Sequence, residues 1–515
     1  MPLKSACPLI TPLTRAKAYQ HPVKSIRLVE THISWVLLTG DYAYKIKKPV
    51  NFGFLDFSTL EKRAFFCHEE IRLNQRFSPD LYLEVVAITG TIDKPQMGGT
   101  GDVIDYAVKM RQFPADQTLS ELAEQEKLTV DEIDQLSKSV AEFHAVIEKA
   151  TATSDYGQNA DIKHWFDENF TQISPLLIEA KHKEQLQKIQ LWGDHEWSNT
   201  SELMQLRREQ GYVRDCHGDL HLSNITLIDN KVRLFDCIEF NPMFRWIDVI
   251  SEVAFLMIDL LHYGYANYTH RFLNHYLQVT GDYQSVILLR YYLVYRALVF
   301  AKIALLRDAQ LPNTDDSNQL RYSSFANLAE RYTEATSPKL IITHGFSGSG
   351  KSTLSEKLAE NIGALQIRSD IERKRLFGHP ATNNEPSKLG VGLYTPQITQ
   401  ALYLYLAQCA KTIIQSGFSV IIDASFLKRA QRNLFQQLAI ACNAPFIILD
   451  VQASNEELCR RIVNRQHDPS EATIEVLHHQ LQSAELLSTE EHPYVIAIDT
   501  EAENTLETLI VQLRK

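Results

Sequence analysis

The run His217-Gly218-Asp219-Leu220-His221-Leu222-Ser223-Asn224 brings a carboxylate, an amide and two imidazoles close together. Asp236 follows at the end of Val232-Arg233-Leu234-Phe235, after a turn at Asp229-Asn230. Phosphoryl transfer uses these residue types: a carboxylate to accept the proton of an attacking hydroxyl, and oxygen ligands for a divalent metal. In that chemistry Asp219 is the base, and Asn224 and Asp236 hold Mg²⁺. Hairpin loops are rich in Asp, Asn and Gly for turn reasons alone, which accounts for each residue singly but not for their joint spacing. The two histidines have the i,i+4 spacing that zinc sites use on helices. Gly218 lies between them and no helix is expected there, so His217 is expected to order the loop through hydrogen bonds.

A second constellation is Gly345-Phe346-Ser347-Gly348-Ser349-Gly350-Lys351-Ser352, with Thr353 next. A strand over 340–343 leads into it. A helix is expected from Ser352, with Leu354, Leu358 and Ile362 on one face and Gly363 as its stop. In this setting the glycines let the backbone wind around a phosphate, with N–H groups and the helix N-terminus turned towards it. Lys351 then reaches the β- and γ-phosphates, and the Ser352 hydroxyl helps to hold Mg²⁺. Gly345 to Thr353 is therefore read as a nucleotide site. Asp370 stands at the end of the next strand with Arg373 one helical turn later; a hydroxyl acceptor needs such a carboxylate, and a phosphorylated one needs a cation nearby. The plainer reading makes Asp370 an N-cap and Arg373 a solvated charge. Asp423 ends an apolar run, where a carboxylate holds Mg²⁺ through water or is merely structural. Arg461 and Arg465 share a helix face, either as lid arginines that stabilise charge on the phosphoryl group or as a solvated basic face.

The elements that must hold these residues are patterned in three stretches. Strands are expected over 25–30, 34–39, 42–47, 83–88 and 104–110, around a helix over 59–77. Gly98-Gly99-Thr100-Gly101 reads as a turn, since no helix opens after it. Helices are then expected over 117–148, 161–180, 196–210, 246–264, 267–279 and 283–307, interrupted by the irregular insert 212–240. From Lys339, short apolar runs at 340–343, 365–368, 419–422, 446–449 and 494–498 alternate with helices, the pattern of a parallel sheet covered on both faces. The expected division is a β-rich small lobe over 1–113, an α-rich large lobe over 114–310, a linker over 311–338 in which Leu320–Tyr332 has a helical pattern, and a phosphate-loop domain over 339–515.

The first constellation resembles the aminoglycoside phosphotransferase and choline kinase branch of the protein-kinase-like fold, over about residues 24–310. The resemblance implies an α+β two-lobed domain and a lysine on a small-lobe strand. Tyr42-Ala43-Tyr44-Lys45 matches that arrangement, with Ala43 against adenine and Lys45 on the α- and β-phosphates. Lys47 is the alternative on the same face. Glu70 is the implied partner of Lys45, with Glu69 as second choice, and Met110–Phe113 falls at the adenine hinge. HGD stands where protein kinases carry HRD, which favours a small-molecule kinase. Glu30-Thr31-His32-Ile33-Ser34 replaces a glycine-rich loop. Glu239, Arg245 and Asp248 are left outside the catalytic core, the last two as a structural pair. Residues 339–515 resemble the small P-loop kinases, in particular the kinase part of polynucleotide 5′-hydroxyl kinases and, less closely, zeta-toxin-type kinases. That implies an α/β domain using ATP, with Asp370 as base and Arg373 as phosphate binder; the absence of NKxD favours ATP over GTP. The whole order resembles bacterial fusion proteins that carry both domains.

The chain of 515 residues is 44% hydrophobic and 22% charged, ordinary globular usage that excludes disordered, collagen-like and disulfide-scaffold classes. Its net charge of −11 counts against a dedicated nucleic-acid binder. Scattered cysteines, no apolar run of membrane-spanning length and no signal-like start lead to the expectation of a cytoplasmic protein without a membrane partner. The expected activity is a bifunctional ATP- and Mg²⁺-dependent phosphotransferase whose two modules act on small hydroxyl-bearing molecules, in sequence or separately. The competing expectations are a nucleotide-sensing N-terminal module and a C-terminal polynucleotide 5′-hydroxyl kinase. Acceptors and oligomeric state are not encoded in these patterns.

Overall fold

In the computed structural model, residues 7–53, 55–151, 153–310, 317–377, 395–464, 473–502 and 505–514 are described. Chain contacts divide the protein into two units: Met1–Gln135, Glu142–Lys163 and Glu202–Asp259 form one, and Leu136–Ala141, His164–Ser201 and Leu260–Lys515 the other.

The first unit opens with the short helix α1 (Ile10–Leu13) and the strands β1 (Arg27–Glu30), β2 (Ser34–Leu38) and β3 (Tyr42–Lys47). Helix α2 (Leu60–Asn74) follows, and then β4 (Tyr82–Thr91), β5 (Lys94–Met97) and β6 (Val103–Arg111). The six strands form an antiparallel sheet in the order β1-β2-β3-β6-β4-β5. Period-two alternation sorts β3. Tyr44 and Ile46 join Leu37, Ile88 and Ala107 in a core that includes Leu9, Ile10 and Leu13, whereas Ala43 packs with Cys67 of α2, Val108 and Met110. Lys45 and Lys47 share the face of Ala43. The edge strand β5 was not among the expected strands: Lys94-Pro95-Gln96-Met97 is polar and contains a proline, which an edge tolerates. Gly98 and Gly101 turn from it into β6 with φ of 70° and 135°.

The expected helix over 117–148 is two, α3 (Leu119–Glu124) and α4 (Val130–Val146). Glu126 takes a φ of 56° between them, and a Thr129/Glu132 capping box restarts the chain. Next come α5 (Asn159–Ile173) and α6 (Ala180–Glu209), the latter far longer than the expected 196–210 because its first turns are too polar to show an apolar stripe. Strand β7 (Val213–Asp215) and the hairpin β8 (Ile225–Ile228) and β9 (Lys231–Leu234) make up the irregular insert. Strand β10 (Trp246–Asp248) pairs with β7, so that helix α7 (Val249–His262) starts after it and not at 246.

In the second unit, α8 (Ala266–Thr280), α9 (Val286–Gln310) and α10 (Ser317–Arg331) precede the phosphate-loop sheet. Helix α10 occupies much of the expected linker and packs along α9, with Phe325 stacked on Phe300. Strands β11 (Leu340–His344), β12 (Leu365–Arg368), β13 (Val420–Asp423), β14 (Phe446–Gln452) and β15 (Val495–Asp499) form a parallel sheet in the order β12-β13-β11-β14-β15. Between and after them lie α11 (Lys351–Ile362), α12 (Ser369–Leu376), α13 (Pro396–Gln415), α14 (Arg429–Ala441), α15 (Asn455–Val463), α16 (Ile474–Ser483) and α17 (Thr505–Arg514). Leu354 and Leu358 of α11 bury against Ile341, Ile421 and Leu449, with Ile362 at the margin. Gly363 ends α11 with a φ of 69°. The expected fold class holds: an antiparallel small sheet with helices, then an α/β domain with a parallel sheet.

Candidate active sites

Because β3 presents Lys45 and Lys47 on one face, both ammonium groups reach the buried Glu70 of α2. Lys45 Nζ donates to Glu70 Oε1 at 2.8 Å and Lys47 Nζ to Oε2 at 2.7 Å. Lys45 also pairs with Asp236, and Lys47 with Glu239. Burial opposes the charges of Lys45 and Glu70, but Asp236 and Glu70 hold the Lys45 ammonium well above its ordinary range, and the two lysines pull the Glu70 carboxyl down. Glu239 moves the other way, raised by burial and by Glu70. Glu69, the second choice, bonds Arg72 on the outer side of α2. Arg245 and Asp248 do not pair with each other. The β7–β10 register sets Trp246 opposite Asp215, so Arg245 bonds Asp215 at 2.6 Å, and Arg207 from the end of α6 takes Asp248 at 2.7 Å.

The loop between β7 and β8 is fastened from within. The His217 ring, stacked on Phe77, donates from Nε2 to the Phe235 carbonyl at 2.8 Å and accepts the Asp219 N–H at Nδ1. Burial pushes its pKa down, as the neutral loop-ordering role requires. Gly218 has a φ of 85°, and a Cβ there would lie 2.9 Å from the Phe244 carbonyl oxygen. Its N–H donates to Glu252 at 2.7 Å. Asn224 Nδ2 donates to the Asp219 backbone at 2.9 Å and to its carboxylate at 3.2 Å, and His221 Nε2 lies 3.4 Å from the same carboxylate. Burial works against the Asp219 charge, but His221 and the hydrogen bond from Asn224 prevail and draw its carboxyl down to about 2. Asp236 has a φ of 64° and donates its N–H to Tyr82 Oη at 2.9 Å, which turns its carboxylate to Lys45. Asp219 and Asn224 thus meet, and the Phe235 N–H donates to the Asn224 carbonyl at 2.9 Å, one residue before Asp236; the oxygen-rich donor set of the three suits Mg²⁺.

Sequence reasoning missed three supports of this loop. His221 is the immediate ionic partner of Asp219. Glu252 also bonds His144 at 2.8 Å, and Asp259 accepts the Leu222 N–H at 2.7 Å. The available signal was two carboxylates seven residues apart on one face of the mostly apolar α7. His144, Cys216 and Glu252 offer ligand atoms within 4.8 Å of one another. The Cys216 thiol is pushed well above its ordinary range by burial and by Glu252, so this group braces the loop as a neutral thiol beside a bonded pair. The β1–β2 turn, where a glycine loop is absent, is closed by Thr31 and Ser34 and tied by Lys48 to Glu30.

In the second unit β11 delivers the chain into a tight loop. Gly345, Gly348 and Gly350 have φ of 143°, 85° and 92°. A Cβ on Gly345 would lie 2.3 Å from the Val451 carbonyl oxygen, and one on Gly348 2.7 Å from that of Leu458. Lys351 Nζ folds over the loop to the Phe346 carbonyl at 2.6 Å and approaches Ser349 Oγ at 3.4 Å. Ser347 donates its N–H to Gln480 at 2.9 Å. Thr353 is exposed on the first turn of α11. Asp423, at the end of the strand beside β11, is buried; burial raises its carboxyl, against the pull of Arg368 and a hydrogen bond with Ser352. The two residues assigned to Mg²⁺ therefore touch, and a buried carboxylate against a hydroxyl fits that metal.

Asp370 and Arg373 lie on α12; burial raises the pKa of the Tyr403 hydroxyl, against hydrogen bonds with Ser425 and Phe426, and Arg373 lowers it while Asp370 raises it to lesser extents. Asp370 also acts on Asp423. Arg373 is buried and donates to Thr399 at 3.3 Å, so it is not a solvated charge. Arg461 of α15 does meet the phosphate loop, donating to the Gly348 carbonyl at 3.4 Å and to Thr500 Oγ1 at 2.8 Å, while Thr500 donates to the Ser349 carbonyl at 2.9 Å. Arg465 lies outside the described residues.

The chain is similar to several known proteins. An uncharacterized protein of Mycobacterium tuberculosis (strain H37Rv) is 29% identical over 459 residues, 88% of this chain and 90% of that protein. The crystal structure of a sugar kinase from Janibacter is 24% identical with a TM-score of 0.27, covering 34% of this chain and 92% of that one. That of a choline/ethanolamine kinase family protein from Mesorhizobium loti is 12% identical with a TM-score of 0.39, covering 61% and 92%. The family model described as AAA domain matches residues 340–487, the segment that holds the phosphate loop, Asp370, Arg373, Asp423 and Arg461.

Proposed function

We propose that this chain is a bifunctional ATP-dependent phosphotransferase with one catalytic site in each unit. What supports the N-terminal assignment most is the convergence of Lys45 on Glu70 and Asp236, which sets a phosphate-binding cation against one of the two residues assigned to the metal. Lys45 orients the α- and β-phosphates. Asp219 orients the acceptor hydroxyl and takes its proton late, since a carboxylate held near 2 is a weak base in the ground state. Asn224 and Asp236 hold Mg²⁺, as do Ser352 and Asp423 in the other unit. The metal, when bound, neutralises charge on the phosphate oxygens. In the C-terminal site Gly345 to Thr353 cradle the nucleotide and Lys351 contacts its terminal phosphates. Asp370 acts as base, Arg373 binds the acceptor's phosphate, and Arg461 covers the transferring group. The N-terminal acceptor is a small hydroxyl-bearing molecule. The C-terminal acceptor is a small alcohol in preference to a polynucleotide 5′-hydroxyl, given the net charge of −11.

The closed Thr31–Ser34 turn favours a second reading of the N-terminal unit, as a nucleotide sensor. ADP release by wild type, Asp219→Asn and Lys351→Ala against pooled sugars, amino alcohols and a 5′-hydroxyl oligonucleotide separates the readings. Two acceptor-dependent activities, each lost in one variant, support two kinases. ATP binding without acceptor-dependent release in Lys351→Ala supports the sensor.

A further inference from the structure

The strand β12 is an edge of the parallel sheet, and an edge leaves backbone N–H and C=O groups to be covered. Helix α8 covers this one with a side chain. The buried Asn274 amide accepts the Gln366 N–H at 2.7 Å and donates to the Ala364 carbonyl at 3.0 Å, standing in for a neighbouring strand. The side chain of Gln366 is itself buried, at 2% exposure, in a strand position where an apolar residue would cost nothing in desolvation. Its amide is spent on the phosphate-loop site. Nε2 donates to Ser355 Oγ at 2.9 Å, to Asp423 Oδ2 at 3.3 Å and to the Ser352 carbonyl at 3.4 Å, and Oε1 accepts from Gln278 Nε2 of α8 at 3.3 Å. The Gln278 backbone carbonyl accepts from Arg375, which pairs with the fully buried Glu372, and Tyr283 Oη donates to the same carboxylate at 3.1 Å. Arg375 and Glu372 lie on α12, the helix of Asp370 and Arg373.

We propose that Gln366, held by Asn274 and Gln278, is a positioning relay that fixes Asp423 and Ser352 for Mg²⁺, so that α8 is a working part of the C-terminal nucleotide site. This rests on the reading of that site as Mg²⁺-nucleotide-binding. The amide fixes the orientation of the Asp423 carboxylate by giving one oxygen a donor. It fixes the first turn of α11 by holding Ser352 and Ser355 together. Outer partners of this kind change metal affinity by about 10–100-fold when removed.

The test titrates Mg²⁺ into the full-length protein with a non-hydrolysable ATP analogue and follows the binding component that Lys351→Ala abolishes. Gln366→Leu and Gln278→Leu should raise the Mg²⁺ concentration for half-maximal binding by about tenfold with metal-free nucleotide affinity unchanged; the melting temperature should hold in Gln278→Leu and fall in Gln366→Leu, which leaves buried polar partners unmet, and Gln278→Asn should restore little. Gln278 is only half-buried, so its variant reports even where Gln366→Leu fails to fold. An unchanged Mg²⁺ midpoint in Gln278→Leu, or an equal loss with and without metal, overturns the relay. Wild-type binding in Lys351→Ala overturns the site reading instead, and the relay with it.

Discussion

Lys47 is fully buried between Glu70 and Glu239, so its removal strands the buried Glu239 carboxylate and leaves Glu70 with Lys45 alone. Lys47→Ala should therefore destabilise the first unit by about 3–5 kcal/mol, read by denaturant unfolding. A Lys47→Met/Glu239→Leu pair should cost less than the sum of the single changes; additive costs would contradict the network. His221 sits against Asp219 and lowers its carboxyl. His221→Gln removes that charge, so the Asp219 pKa rises, and a reaction that needs the carboxylate loses activity at higher pH on the acid side. The pH profile of kcat for the N-terminal activity checks this, and an unmoved acid limb counts against it. Lys45 and Glu70 were legible because period-two alternation and the helix after β3 constrain them. Partner choice was not: Arg245 takes Asp215 and Asp248 takes Arg207 because of a strand pairing that local sequence does not reveal.

The phosphate loop shows how backbone conformation creates a site. Gly348 combines a φ of 85° with a carbonyl 2.7 Å from where a Cβ would stand. Gly348→Ala should raise the nucleotide Kd of the C-terminal site at least about tenfold, roughly 1.4 kcal/mol, with little change in melting temperature; wild-type affinity would contradict the cradle. The loop, its strand and α11 were legible because glycines, apolar run and helical stripe agree. Strand β5 was not, since its edge position excuses a polar sequence with proline. The break between α3 and α4 was hidden by a continuous helical pattern, whereas the helical pattern over Leu320–Tyr332 matches α10 within the expected linker.

Helices α8 to α10 belong with the phosphate-loop sheet in one unit. Composition placed a boundary near 338, where the parallel-sheet pattern begins, whereas Asn274 and the Gln278 side chain tie α8 to the sheet through hydrogen bonds that no hydropathy pattern shows. A fragment beginning at Lys339 leaves the β12 edge uncovered, and it should aggregate or melt lower than a fragment beginning at Leu260; equal stability would show that α8 is dispensable to the sheet. Among the described residues no helix is long and apolar enough to cross a membrane.

The most direct measurement is transfer of γ-labelled phosphate from Mg²⁺-ATP into fractionated small-molecule extract by wild type, Asp219→Asn and Lys351→Ala side by side. The account predicts two labelled products, one lost in each variant. Retention of every product by either variant, or loss of the same product from both, would contradict two separate phosphotransfer sites.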